Sequence, residues 1–241
     1  MELRKLLLLS PAFFTFSATA DTEQYGIIGG SVTYGESVFS SKNGPSVSVT
    51  PNLFYSGPAG FIDGSLANWQ LLPFVGLSGN WRFEEVSGSI TELPNGINDR
   101  EGNGELGITI GTVGARLTYL HDVTSVHSGY EIQMHLGRTL ATWDSAFTIT
   151  PYLEIDYRDR KLSDHLYSVS SGEATASTLN QFNADSSFVY QTGLIGLYEF
   201  TPTWIGIFRT DFTHHNSDSP LIQNSLGWSL EAGITYRFAG L

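Results

Sequence analysis

Along most of this chain apolar and polar residues alternate one for one, the period of a strand with a single greasy face. The segment 147–158 shows the rule. Phe147, Ile149, Pro151, Leu153, Ile155 and Tyr157 share one face, and Thr148, Thr150, Tyr152, Glu154, Asp156 and Arg158 share the other. Tyr130, Ile132, Met134 and Leu136 alternate with Glu131, Gln133 and His135 in the same way. The stretch 226–238 carries Leu226, Trp228, Leu230, Ala232, Ile234, Tyr236 and Phe238 on one face. That face runs about 24 Å at a strand rise of roughly 3.4 Å. It matches the apolar band of a membrane-spanning barrel, about 25 Å tall.

The alternation predicts strands over 25–36, 46–56, 60–69, 73–83, 104–111, 113–121, 129–137, 146–158, 188–199, 204–214 and 225–238. Segments of helical period do not recur. The connectors alternate in length: short at 111–112, 138–145 and 200–203, long at 84–103, 159–187 and 215–224. Short turns at one end and long loops at the other are the habit of transmembrane barrels. With both ends of the chain on the short-turn side the strand number is even, so the eleven segments contain one error. It lies before residue 73, where Gly57, Pro58, Gly60 and Gly64 weaken the alternation. Twelve strands fit the length, with ten as the alternative if 60–69 does not span.

A soluble secreted β-sandwich would alternate too. Aromatic placement argues against it. Tyr25, Tyr34, Trp81, Tyr119, Tyr130, Phe147, Tyr157, Trp204, Phe212, Trp228 and Phe238 fall near strand ends, where two interfacial girdles would lie. The polar faces then line a wet lumen. Its inward charges and polar groups are Arg82, Arg116, Glu131, Gln133, His135, Glu154, Asp156, Arg158, Glu199, Arg209, Asp211, Glu231 and Arg237. Opposite charges pair across a narrow lumen, so it is expected to be largely filled, with any pore narrow.

Composition adds a compartment. Arg4 and Lys5 form a basic start, residues 6–16 an apolar core, and Ala18-Thr19-Ala20 an A-x-A cleavage site. Residues 1–20 read as a signal peptide cut before Asp21, and 21–241 as the barrel domain. The formal net charge of −12 argues against a nucleic-acid binder, which needs clustered cations. An exported chain without cysteine draws its stability from something other than disulfides, such as a closed sheet. These features together point to the bacterial outer membrane, with lipid and lipopolysaccharide as surroundings.

Particular stretches resemble a known family. Pro151 to Val169, PYLEIDYRDRKLSDHLYSV, resembles a strand and following loop of the MipA/OmpV (MltA-interacting protein) family of outer-membrane proteins, with Ser168 in place of its usual Gly. FTPTW at 200–204, DSPLIQ at 218–223 and Tyr236-Arg237-Phe238 resemble further motifs of that family in the same order. Asn98-Asp99-Arg100 is a looser match, and Ala239-Gly240-Leu241 extend past the family's terminal aromatic. The resemblance implies an outer-membrane barrel acting as a scaffold that joins a lytic murein transglycosylase to a bifunctional murein synthase of the penicillin-binding type. Other members of the family are outer-membrane antigens or adhesins. The resemblance supplies no catalytic, cofactor or metal residues, and none are assigned.

Two groups of residues could carry chemistry. Asp211, His214, His215 and Asp218 lie at one strand end, but Asp211 and His215 are roughly 13 Å apart along a strand. A rim hydrolase would need a partner such as Asp156 or Asp159. Asp159, Asp164, His165 and Glu173, and likewise Glu84, Glu85, Glu92, Asp99 and Glu101, read as solvated acidic loops, because their spacing matches no calcium or zinc motif. Function therefore ranks as scaffold first, small-solute channel second and rim hydrolase third. The fold itself has a simple check: a closed barrel migrates differently in a denaturing gel before and after boiling. Identical mobility would overturn it.

Overall fold

The strands expected from the alternation form, and they close on one another. In the computed structural model, residues 24–41, 44–88, 92–144 and 146–238 are described. The expected signal peptide at 1–20 and the terminal 239–241 lie outside them. Among the described residues the strands are β1 (Tyr25–Glu36), β2 (Ser46–Gly57), β3 (Gly60–Asp63), β4 (Leu66–Leu72), β5 (Val75–Arg82), β6 (Asn103–Thr112) and β7 (Ala115–Asp122). They continue with β8 (Tyr130–Gly137), β9 (Leu140–Ala141), β10 (Phe147–Arg158), β11 (Ser187–Glu199), β12 (Trp204–Asn216) and β13 (Gly227–Arg237). The pieces β8 and β9 lie end to end against β10 and make one stave, so the sheet has twelve. Each stave pairs antiparallel with its neighbour in the chain, and β13 returns to β1 from Arg237 opposite Ile27 to Trp228 opposite Glu36. This is an all-β, closed, up-and-down barrel.

The missing twelfth strand sits where the alternation weakens. Residues 60–69, expected as one strand, are instead two short ones, β3 and β4, folded back at Gly64, which takes φ +62°. Their hairpin does not reach the full height of the wall. β2 pairs with β1 from Ser46 to Ser56, but with β3 only from Phe54 to Gly57. Pro51 is tolerated in β2 because no strand lies on its far side at that height. Pro151 of β10 likewise faces the break between β8 and β9.

Outward positions carry the apolar residues. Leu77, Ile108, Leu117, Leu153, Leu194, Phe208, Leu230 and Ile234 are all exposed. An apolar belt continuous around a molecule calls for a hydrocarbon solvent. Aromatic rings border it at both ends. Tyr119, Tyr130, Tyr157, Phe188 and Tyr190 contact one another in series near the long-loop end, with Tyr34 against Trp228 further round. Trp204 meets Tyr236, and Tyr198 meets Phe200, at the short-turn end. Tyr25, expected in a girdle, turns inward instead, where the Arg237 guanidinium lies 5.2 Å over its ring.

The long loops fold into a lid, a second departure from expectation. Residues 159–187, expected as solvated loop, contain α1 (Arg160–Tyr167) and α2 (Ser171–Ala176). Asp159 caps α1 by accepting the Leu162 N–H, and Ser170 with Glu173 forms a capping box on α2. Helices of eight and six residues are too short to show a period. Leu162, Leu166 and Val169 pack with Val38 and Phe39 of the first loop, Val86 of the 83–102 loop and Leu221 of the last loop. The lid thus has its own apolar core.

The short hairpin depends on Gly60, whose φ is +137° and where a Cβ would overlap the Asn68 carbonyl. Gly60→Ala is expected to cost about 1–3 kcal/mol. The temperature at which the folded gel band disappears should drop accordingly.

Candidate functional site in the lumen

Every inward residue that the alternation singles out does line the lumen, and the charges among them are largely consumed by one another. Arg82 of β5 donates with all three guanidinium nitrogens: Nε to Glu105 at 3.0 Å, Nη1 to Glu85 at 2.8 Å and Nη2 to Glu131 at 2.9 Å. Arg158 of β10 donates to Glu131 at 2.8 Å, to Glu85 at 2.9 Å and to the Tyr167 hydroxyl at 2.6 Å. Since Tyr167 Oη accepts from Arg158, its proton is directed to His215 Nδ1, 2.8 Å away on β12. This chain of contacts starts on β5 and ends on β12. Those staves are six places apart in the ring of twelve, so the network crosses the barrel.

Two carboxylates of the network fall outside the inward set expected from the sequence. Glu105 shares its parity with Thr109 in β6, so the alternation itself could have found it. Glu85, expected among the solvated acids of its loop, turns into the barrel between two arginines. Burial pushes its carboxyl up, but the Arg158 and Arg82 guanidiniums outweigh that and hold it at about 2. Burial also holds the Tyr167 phenol protonated, pushed up to about 12.

Below the network the same half of the lumen is filled by Phe61, Leu66 and Leu120, with Val113 against them. Arg116 crosses from β7 to Asp63 at 2.7 Å and lies 5.4 Å over the Phe61 ring. His135 and Glu154 pair at 2.7 Å on β8 and β10, and Arg237 pairs with Glu199 at the short-turn mouth. The opposite half is less full. Towards the long-loop end its inward residues are mostly small: Thr33 and Gly35 on β1, Ser46, Ser48 and Thr50 on β2, and Gly227 and Ser229 on β13. They leave a chamber of about 440 Å³, also lined by Arg209, Asp211, His215 and Glu231.

The clusters that could have carried chemistry come apart in three dimensions. His214 faces outward, stacks on Tyr190 and reaches the Ser225 carbonyl, while His215 faces inward onto Tyr167. Asp211 receives Arg209, Gln191 and Ser229. Its partners do not include His215, so the rim triad is not assembled. In the lid, Asp159 is a helix cap, Asp164 accepts from Ser168, and His165 meets the Glu101 carbonyl. Glu173 accepts from Arg100 at 2.8 Å and from the Asn98 N–H at 3.1 Å, which ties the 83–102 loop to α2. Burial raises the Glu173 carboxyl, but Arg100 and the backbone donors prevail and hold it at about 2. Among the described residues, no group of three or more His, Asp or Glu side chains is placed to hold a metal ion.

Comparison with known proteins gives one consistent family. A family model described as MltA-interacting protein MipA matches residues 28–238. The MltA-interacting protein of Escherichia coli (strain K12) is 28% identical over 144 residues, covering 53% of this chain and 57% of that protein. The protein of the same name from Shigella flexneri gives the same figures. The match thus spans a little over half the length of these relatives. Among solved structures, Neisserial surface protein A aligns over 89% of this chain and 97% of its own, at 9% identity and a TM-score of 0.33. The anion-selective porin from Comamonas acidovorans aligns over 89% and 98%, at 6% identity and a TM-score of 0.33. At such scores no residue correspondence with either follows.

The depressed Glu85 carboxyl makes a pH prediction. Its ordinary value is 4.5 and its folded value about 2, so its stabilisation is complete above about 4.5 and is lost as pH falls through 2. The urea midpoint of the wild type should exceed that of Glu85→Gln by a constant margin above about pH 5. That margin should shrink towards zero near pH 2; a margin independent of pH would refute the assignment.

Proposed function

Because the chain belongs to the family of MltA-interacting protein MipA, we propose that it is an outer-membrane barrel working as a scaffold, not as a pore or an enzyme. In this reading residues 1–20 direct export and 21–241 insert into the membrane. The single observation that supports it best is the crossing of the lumen by Arg82, Glu131, Arg158, Tyr167 and His215 under a packed lid. A buried set of paired charges is a poor route for solute. Removing either guanidinium would leave its carboxylates bare, at a cost of roughly 3–5 kcal/mol.

The contact surface in this reading is the short-turn face, which looks into the periplasm when the long loops look outward. The turn after β9 presents Trp143 there, 99% exposed. A fully exposed tryptophan is uncommon on a surface with no partner, and tryptophan is enriched among residues that dominate binding. The relatives carry a name that states interaction with MltA. Carried to this chain, the partner is a murein transglycosylase, with a murein synthase of the penicillin-binding type as a second one.

A pull-down from solubilised envelope should recover a murein transglycosylase with the wild type and clearly less with Trp143→Ala. Recovery of no murein enzyme would sink the scaffold reading, and equal recovery by the variant would move the contact off this turn. Purified protein in planar bilayers should show no steady conductance. A stable, ion-selective current would favour the channel instead.

A further inference from the structure

The chamber beside β1, β2, β12 and β13 carries more acid than the arginine lining it offsets. We propose that it binds a small organic cation of the primary ammonium class, admitted through the low point of the wall beside β2. This goes beyond the scaffold reading and does not depend on it.

The charge balance comes first. Asp211 and Glu231 face the chamber from β12 and β13, with Glu84 and Glu85 at its loop end. Glu85 is taken by Arg82 and Arg158, and Arg209 is the arginine among the described lining residues. Arg209 is opposite Glu231 in the ladder, yet its guanidinium goes to Asp211 at 3.0 Å and to the Tyr152 hydroxyl at 3.2 Å. Glu231 is left 5% exposed, and its Oε1 has no hydrogen-bond partner. A buried carboxylate oxygen without a donor is costly and uncommon. An ammonium supplies both the charge and up to three donors. A metal ion fits less well, because no group of three or more ligating side chains is gathered among the described residues. At about 440 Å³ the chamber lies within the range of small-molecule pockets.

The way in is the second line of argument. Ser46 and Ser48 face inward, yet both are exposed. Their outward neighbours Val47 and Val49 are 68% and 79% exposed, more than most of the belt, because no strand stands beside them. Membrane-embedded sheet does not tolerate an unpaired edge in hydrocarbon. Val47 is opposite Tyr34, whose ring packs on Trp228, and such aromatics sit at headgroup level. The Val47 end of the gap therefore opens where water and headgroups reach it, and the unpaired edge runs down from there until β3 pairs at Phe54. The ammonium can come from a free amine or from an amine-bearing headgroup; both present the same donors.

Calorimetry on the full chain in detergent distinguishes these sources. The probes are 1,4-diaminobutane and dihexanoyl phosphatidylethanolamine, with 1,4-butanediol and dihexanoyl phosphatidylcholine as partners lacking N–H donors. Saturable binding of the diamine identifies a free amine, and binding of the ethanolamine lipid alone identifies a headgroup. Either should weaken about tenfold or more in Glu231→Gln, the loss of roughly 1.4 kcal/mol or more. Thr50→Lys, which places the protein's own ammonium in the chamber, should abolish binding even if Glu231→Gln fails to fold. No saturable binding of either amine, equal binding of the controls, or wild-type affinity in the folded Glu231→Gln variant would overturn the proposal. So would wild-type affinity in Thr50→Lys.

Discussion

A backbone surrounded by hydrocarbon has no water to bond to, so each N–H and C=O must find its partner within the protein. In this chain that demand is met, except along the far edge of β2 above Phe54, by the return of β13 to β1, which joins the last described stave to the first over ten paired positions. Once the sheet is closed, the period of two assigns every residue to lipid or lumen. The apolar alternation follows from the first environment, and the polar one from the second. The girdles follow as well, because an amphipathic ring is most stable where the two solvents meet.

Closure creates a second problem, which the lumen solves. A ring of twelve staves is too wide to leave empty and dry, and too narrow to leave its charges in bulk water. Arg82 and Arg158 are each nearly buried, and each is surrounded by carboxylates. Such a cluster is weak evidence for stability by itself, since the desolvation of its members offsets most of the attraction. What it does here is geometric. Glu85 and Tyr167 come from the loops, so the same contacts that neutralise the arginines also seat the lid on the barrel.

Alternation alone is enough to place Glu131, Glu154, Arg209 and Arg237 in the lumen, because one residue of slip would exchange faces along a whole strand. It fails where other physics governs. The β3–β4 hairpin resembles one strand in the sequence because four and seven residues hold too few periods to reveal a reversal. The lid resembles solvated loop because its apolar residues are scattered over four loops and meet only when the barrel gathers those loops at one end. Glu85 is one acid among several in its loop, and of its two arginine partners, Arg82 and Arg158, the second is remote in sequence on β10. Tyr25 lies near a strand end, which suggests a girdle, whereas its parity with Ile27 turns it inward. The family is legible from short motifs in order, and the family model extends that likeness across residues 28–238.

Side-chain size at inward positions divides the lumen in two. On the staves from β3 to β10 those positions hold Phe61, Arg82, Arg116, Leu120 and Arg158, and the space is consumed. Where β1, β2 and β13 line the chamber they hold mostly glycine, serine and threonine, with Glu231 among them, and space remains. The wall is lowest beside the emptier half, where β2 outreaches β3. Long side chains would have closed the chamber without altering the alternation, and a full-length β3 would have closed the gap without altering the count of staves. Neither feature is required for closing a twelve-stave barrel. Their coincidence on one side is a property of this sequence, and it sets that side of the barrel apart from the packed half that seats the lid.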